Sequence, residues 1–176
     1  MKRPLSTWDF RFMALLFKLR DLFISPGDRL IDTGLGPGIH VLDYGCGSGS
    51  FSIAAAVLVG PEGVVYAVDI HPLAMRMVQR ASSRRGLTNI RTIQTERDTG
   101  LESQSVDAAL LYDTFHGLTD PDGVLVEIHR VLKPNGILSF SDHHMGEGQI
   151  VTGVTGKGLF RLHRRGRRSY IFLKRG

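Results

Sequence analysis

The sequence predicts an α/β fold: a doubly wound, mostly parallel sheet with an N-terminal helix and a C-terminal antiparallel β-hairpin. Three observations carry that expectation. From Ile39 to Ser141, strand-length apolar runs alternate with helical segments. Val106 to Tyr112 and Ile137 to Ser141 are apolar runs of strand length, the look of buried parallel strands. After Gly158 the pattern switches to apolar/polar alternation around "RRGRR", which signals a hairpin turning at Gly166.

The elements follow in order. Ser6-Thr7 before Trp8-Asp9 pairs a capping hydroxyl with a first-turn acid, predicting a helix from Thr7 to Ile24. Phe10, Met13, Phe17 and Ile24 share one face and Phe12, Leu15, Leu19 and Leu22 another, so this helix needs cover on two sides. It is expected either as a lid over a ligand or as a core element; Trp8, Phe10 and Phe17 beside Arg11 and Lys18 offer a membrane-surface alternative. Ser25-Pro26-Gly27 is expected to end it, and a short helical piece to cover Asp28 to Leu35.

A strand at Ile39–Tyr44, a helix at Ser50–Val59 and a strand at Val64–Val68 make the first βαβ unit. Pro72 suits the first turn of a helix running to about Arg85, with Gly86 past its end. Strands follow at Asn89–Ile93, Val106–Tyr112 and Ile137–Ser141, with a helix at Pro121–Leu132 that stops at Lys133-Pro134-Asn135-Gly136. Gly158–His163 and Ser169–Leu173 form the hairpin.

Composition fits one soluble domain: 176 residues, 42% hydrophobic and 22% charged. Within it, 1–27 is read as a cap helix, 28–142 as a ligand-binding core and 143–176 as the hairpin region. A single cysteine, Cys46, excludes an intrachain disulfide and a Cys-based zinc site. The apolar run Met13–Phe17 is cut short by Lys18, too short for export or spanning, so a cytoplasmic location without stable membrane insertion is expected. The formal charge of +5 leans toward anionic partners without deciding the fold.

The stretch "VLDYGCGSGSFS", Val41–Ser52, places a glycine-rich turn between a strand and a helix N-terminus. Such turns bring bare N–H groups and the positive end of a helix dipole over the strand ends, where ligands of open α/β sheets sit. A dinucleotide fingerprint needs a sixth-position glycine, but Ser50 stands there. Asp43 also argues against a pyrophosphate, which it would repel, and for a ligand with a cationic end. Asp69, about 20 residues beyond the turn, lies where an acid accepts ribose hydroxyls.

Together Asp43-Tyr44-Gly45-Cys46-Gly47-Ser48-Gly49, Asp69 and "RVLKPNG", Arg130–Gly136, resemble the class I S-adenosylmethionine-dependent methyltransferases, over Leu30 to Ser141. The resemblance implies a Rossmann-like core and S-adenosyl-L-methionine as methyl donor, with S-adenosyl-L-homocysteine as product. It implies that Asp43, Tyr44, Gly45, Cys46, Gly47 and Gly49 hold the methionine end, Asp69 the ribose and Ile70 the adenine face. Glu96 and Arg97 stand where the family places an adenine-binding acid and a small residue, a looser match. Tyr112 and Asp113 end the fourth strand, on the route between methyl group and acceptor.

Histidines gather beyond that strand and the next: His116, and Asp142-His143-His144. An imidazole titrates near cellular pH, so Asp113, His116 and His143 are the candidate catalytic residues, one imidazole taking a proton from an O–H or N–H acceptor. Asp113, His116, Asp142 and His143 are also types that suit a metal, though no fixed ligand spacing is present and no metal is expected. Otherwise these histidines only shape the pocket.

The hairpin carries Arg161, Arg164, Arg165, Arg167, Arg168, Lys174 and Arg175. It is read first as a solvated edge and second as an RNA or anionic-lipid surface, with Phe160, Tyr170 and Phe172 expected to face inward. The expected acceptor is a small molecule, its pocket completed by a partner or second subunit if the chain forms a homo-oligomer. A binding module without catalysis is the reading from another class.

Overall fold

The computed structural model describes residues 26–176. The helix expected from Thr7 to Ile24 lies outside the described residues, with the lid, core and membrane roles considered for it.

Helix α1 is Pro26–Leu30, followed by a 3-10 turn at Ile31–Thr33 that Gly34 closes at φ 68°. Pro26 opens this helix, earlier than the Asp28 expected; whether a preceding helix ends at Ser25 lies outside the described residues. A proline ring presets the helical φ and its missing N–H costs nothing in a first turn.

Strands β1 (His40–Tyr44), β2 (Val64–Asp69), β3 (Ile90–Gln94), β4 (Val106–Tyr112) and β5 (Leu132–Ser141) run parallel, while β6 (Phe160–Arg165) and β7 (Tyr170–Lys174) form the hairpin. The order across the sheet is β3-β2-β1-β4-β5-β7-β6, with β7 antiparallel to β5. The direction of winding reverses between β1 and β4, and in such sheets the crevice beyond the strand ends at that reversal receives the ligand. Because Tyr170 pairs with Phe140, the β6–β7 turn lies at this same C-terminal edge.

Helices α2 (Ser50–Val59), α3 (Pro72–Arg84), α4 (Pro121–Val131) and α5 (Glu147–Thr155) cover the sheet. Val41, Leu110 and Tyr112 pack with Leu30, Phe51, Ala55 and Val59 in one cluster, and Leu42, Leu111, Leu138 and Phe140 pack with Leu125, Ile128 and Ile150 in another. Consecutive residues of β1 and β4 thus fall on opposite sides of the sheet, which explains why apolar residues follow one another there.

Two boundaries differ from expectation. Helix α4 ends at Val131 and strand pairing resumes at once, Leu132 opposite Val106, before a register shift brings Ile137 opposite Ala108. "LKPNG" is therefore an irregular entry into β5 rather than a loop. Helix α5 was not legible, because its glycines weaken helical propensity. Burial of Ile150 and Val154, four residues apart, contributes about 1.5–3 kcal/mol each and outweighs roughly 1 kcal/mol lost per interior glycine. Among the described residues, no helix is long and apolar enough to cross a membrane.

Candidate active site

The turn after β1 is held open by backbone geometry. Gly45, Gly47 and Gly49 have φ of 79°, 54° and 87°, in the left-handed region where side chains are strained. A Cβ on Gly45 would stand 2.3 Å from Thr114 Oγ1 and one on Gly49 2.7 Å from Val78 Cγ2, so both close approaches require glycine. A Cβ on Gly47 would meet nothing within 4 Å, so the space beside its backbone is open.

Two carboxylates flank this turn. Asp43 is buried, accepts a hydrogen bond from the Ser52 hydroxyl, and has its pKa pushed up from 3.8 to about 6, by burial first and partly by the Asp69 charge, against the Ser52 bond. Asp69 accepts from the Gly47 N–H at 2.9 Å and from the His71 N–H at 2.8 Å. Burial raises its pKa too, while those N–H groups oppose the rise. Each carboxylate oxygen bonded to one N–H retains a lone pair for a further donor. Ile70 beside it is 39% exposed, an apolar face without cover.

The other expected nucleotide contacts divide. The Tyr44 hydroxyl donates to the Glu96 carbonyl at 2.6 Å, so Tyr44 fixes the turn after β3 from within the core. Tyr112 packs edge-on against Phe51 with its hydroxyl 2.6 Å from Ser139 Oγ, and Cys46 packs among Ala67, Leu73 and Val78. Their side chains are engaged in packing. Glu96 is exposed, and Arg97 pairs with Asp120 at 3.2 Å on the surface.

The turns after β4 and β5 bring the acceptor-side candidates together. Asp113 (φ 51°) accepts from His143 Nδ1 at 2.8 Å and from Arg29 at 3.3 Å. Burial would raise its pKa, but His143 and Arg29 outweigh that and hold it below the usual carboxylate range. Asp142, its side chain 0% exposed, accepts from the backbone N–H groups of His116 and His144 and contacts His116 Nδ1 at 2.9 Å. The His144 ring lies 4.1 Å from that of His116 and 3.9 Å from that of His143. Each dyad fixes an imidazole by Nδ1 and leaves Nε2 as its other functional atom.

Several participants escaped sequence reading. Arg29, Thr114 and Ser52 act through contacts between segments far apart in the chain, and no local motif marks them. Conversely, Arg130 of "RVLKPNG" binds no pocket: it donates to Glu127 at 2.7 and 2.8 Å, and Lys133 pairs with Asp107 at 2.7 Å. The hairpin turn is docked as well. Arg164 and the Arg167 N–H bond to Asp32, and Arg165 pairs with Glu147.

A family model described as a methyltransferase domain matches residues 35–157. The chain belongs to this family, the class I S-adenosylmethionine-dependent methyltransferases. It is similar to a demethylmenaquinone methyltransferase from Geobacillus stearothermophilus, 34% identical over 88 residues, 49% of this chain and 38% of that protein. The matched region thus spans well under half of that curated relative. Among solved structures, an S-adenosylmethionine-dependent methyltransferase from Aquifex aeolicus superposes with a TM-score of 0.73 at 26% identity, covering 85% of this chain and 87% of the other. A candidate methyltransferase from Methanococcus maripaludis, 14% identical, shares the fold over 99% of this chain and 97% of its own, with a TM-score of 0.81.

Proposed function

We propose that this protein is an enzyme that transfers the methyl group of S-adenosyl-L-methionine to a small-molecule acceptor. The observation that carries the reading is the pair of carboxylates flanking an open glycine turn. Asp43 and Asp69 repel one another in a buried setting, and a ligand with a cationic end relieves that repulsion. The donor set fits: Asp43 faces the cationic methionine end, the open space beside Gly47 admits close approach, Asp69 keeps lone pairs for ribose hydroxyls, and Ile70 offers an apolar surface to the base.

The donor, when bound, supplies a methyl group on a positively charged sulfur. What the chain itself adds is alignment, which accounts for most of the rate in such displacements. His116, oriented through Nδ1 by buried Asp142, is the group we assign to receive the acceptor's proton at Nε2, with Asp113 and His143 as the neighbouring pair. The Geobacillus relative is by name a methyltransferase of demethylmenaquinone, which favours a small acceptor here too. An RNA or lipid acceptor held by the hairpin is disfavoured because Arg164 and Arg165 already have acidic partners. A cytoplasmic location and a single domain over 1–176 belong to the same reading.

Calorimetry of the full chain with S-adenosylhomocysteine is the direct test. Saturable heat supports the reading; its absence overturns it. Turnover of S-adenosylmethionine against small hydroxyl, amine and thiol acceptors then separates an enzyme from a binding module, and His116→Ala retaining a rate within about threefold would remove the proton-transfer role.

A further inference from the structure

We propose that the arginine face of helix α3 docks the phosphate backbone of a double-stranded nucleic acid. The chain's formal charge of +5 resides in one stretch: 70–95 holds Arg76, Arg80, Arg84, Arg85 and Arg91 and no aspartate or glutamate, while basic and acidic residues balance over the rest. Arg76, Arg80 and Arg84 recur every fourth residue along α3, with Gln79 and Ser83 between them on the same face. Together these five side chains line a shallow, open groove of about 360 Å³.

Folding does not account for this arrangement. The core contacts of α3 come from its other side, through Leu73, Ala74, Met75 and Val78. Arg76, Arg80 and Arg84 are exposed, and among the described residues no carboxylate pairs with any of them. Like charges four residues apart destabilise a helix, and the helix dipole favours only Arg84, in the last turn. By contrast, Arg97 pairs with Asp120, Arg164 with Asp32 and Arg165 with Glu147.

The chemistry of the face selects the partner. Guanidinium forks match phosphate oxygens two at a time, and glutamine and serine side chains donate to the same oxygens. Gln79, whose amide also donates to Thr92 at 3.0 Å, keeps a second N–H for this purpose. Successive arginines are separated by about 6 Å of helix rise, close to two phosphate steps of about 3.4 Å along one strand of a duplex. An anionic membrane matches less well, because no apolar side chain lines the groove to enter a bilayer. A single strand also matches less well, because no aromatic ring lines it to stack a base. Helix α3 joins β2 to β3, at the end of the sheet away from the turns after β4 and β5. The duplex is therefore a docking partner and not the methyl acceptor.

The test is fluorescence anisotropy of a labelled DNA duplex of about 20 base pairs titrated with the full chain. Affinity should fall about 40-fold between 50 and 200 mM salt, as three phosphate contacts release their counterions. Arg76→Gln, Arg80→Gln and Arg84→Gln combined should weaken binding at least 30-fold, and Arg80→Gln alone at least threefold. Arg91→Gln removes the same charge from the opposite face of the sheet, over Tyr66, and should stay within twofold. Absence of duplex binding at 50 mM salt, or equal binding by the parent and the triple variant, overturns the proposal. So does a loss confined to Arg167→Gln with Arg168→Gln, which puts the contact on the hairpin, or retention by phosphatidylserine vesicles without duplex binding. Calorimetry with S-adenosylhomocysteine keeps this proposal separate from the methyl-donor reading: the triple variant should bind that nucleotide like the parent. Should it lose both ligands, Arg80→Gln decides, and unchanged duplex affinity there overturns the face.

Discussion

The two halves of the crevice treat their carboxylates in opposite ways. Around the β1 turn, Asp43 sits in the core with the Ser52 hydroxyl and N–H as hydrogen-bond donors, and its pKa rises to about 6 because burial outweighs them. Across the β4 and β5 turns, Asp113 is held below the usual range because His143 and Arg29 outweigh its burial. The β4–β5 side carries its own positive charge at Arg29, while no cation among the described residues offsets Asp43. A donor with a cationic sulfur and ammonium belongs where the protein supplies anions without counterions.

That contrast breaks most sharply at the glycines. Gly45→Val should abolish S-adenosylhomocysteine binding, at least 100-fold, because its Cβ overlaps Thr114 and its φ is 79°. Gly47→Ala should instead keep the melting temperature within a few degrees while weakening binding more than tenfold, since it fills only open space. Equal losses of stability in both would erase the distinction between a structural and a ligand-facing glycine.

Asp43→Asn sharpens it by pH. The folded chain keeps the Asp43 proton up to about pH 6, while the unfolded chain loses it near 3.8. The favourable contribution of Asp43 is thus complete below 3.8 and is lost as pH rises through 6. At pH 8 the asparagine variant should be more stable by about 1–3 kcal/mol in denaturant titrations without ligand. It should bind the nucleotide about tenfold more weakly, and the gain in affinity between pH 5 and 7 expected of the parent should vanish.

Glu127 supplies the opposite sign away from the crevice. Burial opposes its ionisation, but Arg130 and Thr99 together hold its pKa down to about 2 from 4.5. Its contribution is present above 4.5 and lost as pH falls toward 2. Glu127→Ala should cost about 1–3 kcal/mol at pH 7 by chemical denaturation, without changing nucleotide affinity. The smallest effect belongs to Asp32→Asn, which loosens the hairpin turn and should cost about 0.5–1 kcal/mol in urea denaturation.

Periodicity made the parallel core legible, and the glycine turn with Asp43, Asp69 and "RVLKPNG" marked the methyltransferase family, because these signals are local. Strand β4 and helix α2 begin and end where the pattern puts them. Helix α5 was invisible since its stability resides in Ile150 and Val154 meeting a distant core rather than in its own glycine-rich chain. Pro26 reads as part of a helix end, and the helix it opens is fixed by Leu30 packing against Val41 and Phe51, a contact the local sequence does not show.

Residue order alone determined a wound α/β sheet and a glycine turn flanked by two carboxylates, since strand period, turn chemistry and charge are written within a few neighbouring positions. Which atoms meet across that crevice was set by folding. Tyr112 turns inward to Ser139, Arg29 reaches Asp113, and Asp142 gathers His116 and His144 because the parallel register of β4 and β5 brings two distant turns to one edge. Contacts of that kind depend on register and burial, which no local stretch of chain encodes.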